Sequence, residues 1–280
     1  MSHEIANFAL PRAQSPGAPL SGRIAGKVSR FLARNARTKT LAVRNATPIV
    51  TFTFDDVPAS ACRNGAAILE QHHARGTFYV SGGGCGAASP GGCLATTSQL
   101  DALCASGHEV GCHTYSHPAV SAVAHDELIA DLERNRRFLE GINCAIAVRN
   151  FAYPYGDLSF RTKRYLETRF DSCRSLLRGV NEGRADLGAL KTCPLENATI
   201  DRPGIRAFIA RAAKAKGWLI FSSHDVAEEP SRFGVTPDLF AFAVEASRDA
   251  GCRLATIAEG LVLTGYAKHG VTAPYDTRAR

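Results

Sequence analysis

The sequence predicts an α/β protein whose parallel strands close into a barrel. From residue 48 onward, short apolar runs alternate with helical patterns, which is typical of a parallel sheet, open or closed. Polar residues with catalytic potential follow the C-terminal ends of several different predicted strands. An α/β barrel builds its active site at that end, whereas an open sheet gathers such residues only near its switch point. A chain of 280 residues with 45% apolar content is long enough for one such domain.

The elements are predicted in chain order from hydrophobic periodicity and from turn residues. The first strand is β-branched and aromatic, and it ends just before two aspartates and a proline. Strands are predicted over 49–54, 76–80, 108–112, 148–153, 170–173, 218–223 and 253–257. Helices are predicted over 59–73, 97–106, 125–140, 158–168, 206–215, 237–250 and 258–263. A glycine-rich loop (81–96) lacks the Gly-Lys-Ser/Thr of a phosphate loop, so we expect it to form a rim over the active site, and 178–202 is expected to be irregular.

The positive charge of the chain is concentrated before the barrel. The net charge is +7, and positions 23–44 contain seven basic residues and no acidic residue. Ile24, Val28 and Leu32 recur at every fourth position, which predicts a basic amphipathic helix over 22–36. This helix either packs across the barrel with a solvated basic face or binds an anionic membrane surface. A nucleic-acid partner is not expected, because no aromatic residues are interleaved with these charges.

The chain is expected to divide into an N-terminal extension with a flexible lead-in (1–47), a catalytic domain (48–265) and a C-terminal tail (266–280). No apolar run of about 18 residues predicts a membrane span, and the first residues lack the pattern of a secretory signal. Nine cysteines without any Cys-x-x-Cys spacing are typical of reduced thiols. These observations predict a cytoplasmic protein, peripheral at the inner membrane surface if the basic helix binds lipid.

Two neighbouring carboxylates, Asp55 and Asp56, follow the first predicted strand. Side chains alternate in direction along a strand, so the two carboxylates are expected to diverge. One of them can then bind a metal ion while the other acts as a base. An Asp-Asp pair is also typical of a solvated turn, so a second signal is needed to favour catalysis.

The pair His113 and His117 provides that signal. The i, i+4 spacing predicts one helical face from which both imidazoles converge on a cation. Two histidines and a carboxylate with an open position for water form the donor set typical of a catalytic divalent-metal site. A nearby carboxylate can take a proton from the attacking water. His224 ends a late strand, and its titration range suits the acid that amine expulsion requires.

These motifs also carry a family resemblance. Thr-Phe-Asp-Asp (53–56), His-Thr-x-x-His (113–117), Tyr-Pro-Tyr-Gly (153–156) and the late strand before His224 occur in an order and spacing that resemble the NodB-homology polysaccharide deacetylases of carbohydrate esterase family four. The resemblance covers roughly 48–265. It implies a distorted (β/α)7 barrel and a hydrolase that removes N-acetyl or O-acetyl groups from sugars.

The resemblance also implies a role for each site residue. A divalent metal, zinc foremost and cobalt second, would be held by Asp56, His113 and His117. Asp55 would be the general base, the backbone N–H of Tyr155 would bind the oxyanion, and His224 would protonate the leaving nitrogen. The positions that would contact the substrate are Tyr153, Pro154 and Ser222.

Three departures from the family pattern indicate a divergent subgroup. The family usually has an arginine in its third motif that steers the catalytic carboxylate, whereas this chain has Ala152. We expect either that another cation, such as Arg149, Arg174 or Arg178, replaces it or that the base is tuned differently. The aspartate that orients the acidic histidine has only a weak counterpart, Asp171. The leucine usually found two residues before that histidine is Ser222.

The expected substrate is an acetylated carbohydrate, such as a chitooligosaccharide or a lipid-linked or nucleotide-linked glycan intermediate. A lipid-linked intermediate is favoured if the basic helix binds membrane. Two alternatives stay open at this point. One is a hydrolase of small cyclic amides on the same fold, and the other is a carbohydrate-binding protein that keeps the barrel without turnover.

Overall fold

A computed structural model of the chain describes residues 20–89, 92–143 and 146–266. The strands, numbered in chain order, are β1 (Thr40–Val43), β2 (Ile49–Asp55), β3 (Thr77–Val80), β4 (Ala88–Ser89), β5 (Gly92–Cys93), β6 (Glu109–Cys112), β7 (Asn150–Ala152), β8 (Ser172–Arg178), β9 (Gly183–Asp186), β10 (Leu190–Pro194), β11 (Trp218–Ser223) and β12 (Arg253–Leu254). The helices are α1 (Leu20–Asn35), α2 (Ala66–Gln71), α3 (Thr97–Ala105), α4 (His125–Ile142), α5 (Phe160–Arg169), α6 (Arg202–Ala215), α7 (Pro237–Asp249) and α8 (Ile257–Leu263).

Seven parallel strands of the described residues close into a barrel, which confirms the predicted fold class. The order around the ring is β2, β3, β6, β7, β8, β10 and β11. The ring closes where β11 pairs with β2, from Trp218 opposite Ile49 to Ser223 opposite Phe54. Because all seven strands run in the same direction, their C-terminal ends meet at one end of the barrel, where the candidate catalytic residues are predicted to lie.

The composition of β2 explains why this strand is completely buried in the barrel wall. All seven of its residues are buried. Phe52 and Phe54 pack in the outer cluster with Phe240 of α7, whereas Thr53 alternates with them and donates its hydroxyl to the carbonyl of Phe221 across the β2–β11 pair. Apolar residues therefore face the helices, and the short polar residues between them face the barrel interior.

One prediction about the strands is wrong, and another is confirmed only in part. The segment expected to be irregular, 178–202, contains β9 and also β10, which is the seventh barrel strand. The last predicted strand, 253–257, is reduced to β12, which pairs only with the first two residues of β2 and lies outside the ring. β10 combines buried Thr192 and Cys193 with exposed Lys191, and its pairing partners lie far away in sequence, so local periodicity gives it little signal.

The residues before the barrel are joined to it. α1 lies where the sequence predicts the basic helix over 22–36, and β1 pairs antiparallel with β9. The boundary placed at residue 47 stays a prediction. The lead-in before residue 20 and the tail from residue 267 lie outside the described residues.

No helix among the described residues is both long and apolar enough to cross a bilayer. All eight cysteines with described positions are free thiols. Cys144 lies outside the described residues.

Candidate metal and active site

A cleft of about 480 Å³ opens at the C-terminal end of the barrel strands. It collects all but one of the predicted site residues; Pro154 does not line it but forms the turn beneath Tyr155. Ser89 and Leu94 of the glycine-rich loop also line the cleft, as predicted for a rim loop. The predicted residues on its wall are Asp55, Asp56, His113, His117, Tyr153, Tyr155, Ser222 and His224.

Asp55 and Asp56 diverge as the strand geometry predicts. Asp55 is the last residue of β2, and its side chain is buried in the barrel. Asp56 and Val57 both adopt left-handed backbone conformations, with φ of 56° and 52°. Two successive non-glycine residues in this region are strained, a feature that clusters at functional sites. This turn carries the Asp56 carboxylate away from Asp55 and toward the histidines.

A buried arginine holds Asp55. Arg174 of β8 is fully buried, and its Nη2 donates to Asp55 Oδ1 at 2.5 Å. It is the replacement for the third-motif arginine, because Arg174 is the register partner of Ala152 on the neighbouring strand. The other two candidates lie elsewhere: Arg149 pairs with Asp171 at 2.5 Å, and Arg178 stacks on Phe208.

The environment of Asp55 keeps it ionised. Burial by itself would raise the pKa of this carboxyl, but the Arg174 guanidinium and, more weakly, His113 and His224 outweigh it. The pKa of Asp55 therefore lies below its ordinary value. A carboxylate that is charged at neutral pH and faces the cleft can accept a proton.

Asp56, His113 and His117 form the candidate metal site. His117 Nε2 lies 3.2 Å and His113 Nε2 lies 3.7 Å from Asp56 Oδ1, and the two Nε2 atoms are 3.2 Å apart. All three residues offer one ligand atom within 4.8 Å of the others. Zinc and other first-row divalent metals are bound by such a set of imidazole and carboxylate ligands.

The histidines are supplied by a loop, and the predicted helical face is wrong. Thr114 and His117 have φ of 66° and 52°, values that no α-helix contains. The loop follows β6 and is fixed from outside: the backbone N–H of Tyr115 donates to Asp131 Oδ1 of α4 at 2.6 Å, and Ser81 Oγ donates to the carbonyl of His113 at 2.8 Å. The two rings converge because of this tertiary support.

The protonation of these side chains fits a bound cation. His113 Nδ1 donates to the carbonyl oxygen of Ala152 at 2.9 Å, because a carbonyl can only accept. Burial lowers the pKa of both His113 and His117 to about 4, so each is neutral at pH 7. The Nε2 lone pair of His113 therefore faces the Asp56 carboxylate without a proton between them, and Asp56 Oδ1 is buried without a hydrogen bond among the described residues. A divalent cation would be a suitable partner for these imidazole and carboxylate lone pairs.

The Tyr-Pro-Tyr-Gly turn forms one wall of the cleft. Tyr155 adopts φ of 58°, and its ring contacts the ring of His117 edge-on at 4.4 Å. Gly156 has φ of 61°, and a Cβ at this position would lie 2.8 Å from Leu176 Cβ, so both its backbone and its surroundings require glycine. Tyr153 is buried and donates its hydroxyl to the carbonyl of Gly188 at 2.9 Å.

His224 lies across the cleft from this turn. It follows β11, which also contributes Ser222, and its Nε2 is 3.9 Å from Asp56 Oδ2. Its Nδ1 is buried without a hydrogen bond among the described residues. Asp171 does not orient this ring: it precedes β8 at the opposite end of the barrel and pairs with Arg149, so that suggestion is wrong.

Among the cleft residues that the sequence did not predict, three bear on its chemistry. Glu196 lies on the wall, where burial raises the pKa of its carboxyl although His224 lowers it. Leu176 and Phe233 expose 43% and 40% of their surface, and Phe233 lies 5.3 Å from the ring of His224. Only the position of Glu196 two residues after β10 could have indicated it, and β10 itself is missing from the predicted strands.

The comparisons with known proteins indicate similarity to one family. The family model described as polysaccharide deacetylase matches residues 42–169, which include β2, β3, β6, β7 and both histidines of the candidate metal site.

Two curated proteins are similar in sequence. A chitin deacetylase of Colletotrichum lindemuthianum is 26% identical over 159 residues, which are 50% of this chain and 63% of that protein. Chitin deacetylase 1 of Cryptococcus neoformans var. grubii is 25% identical over 111 residues, which are 40% of this chain and 22% of that protein. The chain thus spans less than two thirds of either relative.

Solved structures share the fold. The Colletotrichum chitin deacetylase has a TM-score of 0.58 at 19% identity, with 86% of this chain and 97% of that one covered. A family-four pseudoenzyme of Bacillus anthracis has a TM-score of 0.53 at 14% identity, with coverage of 77% and 66%. At these identities, the likeness supports the barrel itself.

Proposed function

We propose that the chain is a member of the polysaccharide deacetylase family, whose model matches residues 42–169, and that it is a metal-dependent hydrolase of acetylated carbohydrate. The bond cleaved is foremost the N-acetyl amide of a sugar or glycan precursor. The observation that carries the proposal is the floor of the cleft: a three-residue donor set beside an aspartate that a buried arginine keeps ionised.

Asp56, His113 and His117 would hold the metal, zinc foremost and cobalt second. When bound, a divalent cation supplies Lewis-acid polarisation of the acetyl carbonyl and lowers the pKa of an attacking water. The protein's own contribution is to keep the two imidazoles neutral and to fix the ring of His113 through the carbonyl of Ala152. Such support from outside the ligand set typically changes metal affinity or activity 10–100-fold.

Two groups of the chain would move the protons. Asp55 takes the proton of the water as its oxygen bonds to the carbonyl carbon. His224, on the other side of Asp56, gives a proton to the sugar nitrogen as the C–N bond breaks, so that acetate and a free amine leave. The backbone N–H of Tyr155 is proposed to stabilise the negative charge on the carbonyl oxygen in between.

The rim of the cleft would bind the sugar. Tyr155 and Phe233 offer aromatic faces on two sides of the catalytic groups, and apolar sugar faces pack well on such rings. Ser222 stands where the family pattern has a leucine, and Leu176 of β8 exposes an apolar side chain to the same cleft. We assign the contact with the acetyl methyl group to Leu176.

The first test is acetate release. Purified protein is incubated with N-acetylated and O-acetylated sugars, chitooligosaccharides and small cyclic amides, with zinc or cobalt added and in parallel with a chelator. Chelator-sensitive acetate release from an N-acetylated sugar supports the proposal. Amide cleavage without acetate favours the cyclic-amide hydrolase instead.

A non-catalytic carbohydrate-binding protein is the remaining alternative, and the fold also occurs in a protein described as a pseudoenzyme. If Asp55→Asn leaves both metal content and sugar binding unchanged and abolishes acetate release, the result supports the proposed hydrolase. If neither wild type nor variant releases acetate although both contain stoichiometric metal and bind the sugar, the result favours a non-catalytic carbohydrate-binding protein.

A further inference from the structure

α1 presents an apolar face to solvent although it is packed against the barrel. Ile24, Val28, Phe31 and Leu32 expose 54%, 52%, 66% and 40% of their surface. Together they present on the order of 400 Å² of apolar surface, the size at which an exposed patch marks an interaction site. On a helix of 3.6 residues per turn they form a single sector about 100° wide.

The opposite face of α1 is the one that docks. Ala33 is completely buried, and Ser29 Oγ accepts a hydrogen bond from the backbone N–H of Phe160 at 3.0 Å. Lys163 Nζ of α5 is buried and donates to the carbonyls of Ala33 and Ala36 at the end of α1. The helix therefore buries small residues and exposes its large apolar ones, the reverse of a helix whose purpose is to complete a core.

The exposed apolar face is bordered by cations along one edge. Lys27 and Arg34 are exposed and fall on the helical wheel directly beside the apolar sector. The whole of α1 contains no acidic residue, and the nearest one after it is Asp55. This combination of an apolar sector, an aromatic residue within it and a basic border is the pattern of helices that lie in a membrane interface.

We propose that α1 binds an anionic lipid surface. The apolar sector would enter the boundary between headgroups and acyl chains, and Lys27 and Arg34 would contact anionic headgroups. Charge argues against a second copy of this chain as the occupant, because two such faces would bring like charges together.

The position of α1 decides how the protein would meet the bilayer. Ser29 contacts the first residue of α5, Ala36 contacts Lys163, and Lys39 Nζ donates to the carbonyl of Phe170, so α1 runs parallel to α5. Helix α5 follows β7 and thus begins at the barrel end that carries the catalytic cleft. Ile24 lies about 7 Å further in that direction, at 1.5 Å per residue. The lipid-binding face therefore extends toward the cleft end of the barrel.

The test is co-sedimentation of the full chain with vesicles and needs no substrate, so it is independent of the proposed deacetylase activity. Vesicles of phosphatidylcholine alone are compared with an equimolar mixture of phosphatidylcholine and phosphatidylglycerol. We expect binding to the mixture only, and release at high salt. Each basic residue contributes about fivefold to partitioning onto an anionic surface, so K27Q/R34Q is expected to bind about 25-fold more weakly. I24S/F31S is expected to lose most of the binding.

Matched variants control for charge and for exposed apolar area. K214Q/R253Q removes the same charge from exposed positions elsewhere, and V262S/L263S removes side chains that are 66% and 46% exposed; both are expected to bind like wild type. Thermal denaturation checks that each variant is folded.

The proposal is overturned by any of three outcomes. They are no binding to the anionic vesicles, an equal loss in K214Q/R253Q, and a dimer that I24S/F31S converts to monomer in sedimentation velocity without any vesicle binding.

Discussion

Arg174 is predicted to be the residue that keeps Asp55, the proposed general base, ionised. Its side chain and that of Asp55 are 0% and 6% exposed, and their closest atoms are 2.5 Å apart. In Arg174→Met the aliphatic part of the side chain remains, but the carboxylate loses its buried partner. Breaking a buried ion pair from one side costs about 3–5 kcal/mol. For a domain of this size, that is a fall in Tm of roughly 6–20 °C.

The effect on activity has a defined sign. In the wild type, Asp55 has a lowered pKa, so its contribution to stability is present above the pKa of an unfolded aspartate and is lost as the pH falls through the lower, folded value. In Arg174→Met, the guanidinium no longer offsets the effect of burial on the Asp55 carboxyl, so the pKa of Asp55 rises. The acid limb of the kcat/KM profile is therefore expected to move to higher pH. Near neutral pH the rate should fall about 100-fold or more, the contribution of a general base, and recover partly in alkaline buffer.

A relocation variant separates this role from a merely structural one. Ala152 and Arg174 are register partners, so A152R/R174A moves the guanidinium to the position that the family resemblance predicts for it. We expect the double variant to regain the acid limb of the wild type and most of the lost Tm, whereas Arg174→Ala alone regains neither. A pH profile of Arg174→Met that superimposes on that of the wild type would refute the reasoning.

The remaining predictions concern the metal ligands and the two proton-transfer groups. His113→Ala and His117→Ala should each lose bound metal, measured by elemental analysis after dialysis, together with activity, whereas His125→Ala, outside the cleft, should keep both; an active variant without metal would exclude the assigned ligands. Asp55→Asn should keep its metal but lose a factor of 10²–10⁴ in kcat, and a rate close to wild type would show that Asp55 is not the base. His224→Gln should reduce hydrolysis of an N-acetyl sugar far more than that of an acetyl ester with an acidic phenol as leaving group, because the phenolate leaves without a proton; equal losses on both substrates would remove the acid role from His224.

Local sequence patterns predict those parts of the molecule that depend on neighbouring residues. The apolar run of β2 and the two aspartates that follow it are contiguous, so both the strand and the divergence of Asp55 from Asp56 could be predicted. The alternation of strands and helices similarly predicts the parallel barrel, and the barrel then gathers the polar residues at one end.

The failures concern structure that distant residues impose. The i, i+4 spacing of His113 and His117 suggests a helix, but contacts with α4 and with Ser81 hold the segment in a loop with left-handed residues. β10 is a strand because β8 and β11 flank it, and nothing in its own five residues requires that. Asp171 directly precedes β8, so it lies at the N-terminal end of the barrel strands. His224 lies at the opposite, C-terminal end.

The relocation of the arginine follows from the geometry of parallel strands. Register partners on adjacent parallel strands point to the same face of the sheet and lie less than about 5 Å apart, and the arginine side chain is longer than that gap. A guanidinium at position 174 of β8 can therefore reach the same carboxylate as one at position 152 of β7, provided that the vacated position carries a side chain as small as that of Ala152. In a closed barrel, every interior position has such a neighbour on each side, so an interior charge can move around the ring while its partner stays in place. A motif in which one residue is missing should accordingly be judged against the register partners of that residue before the missing function is counted as lost.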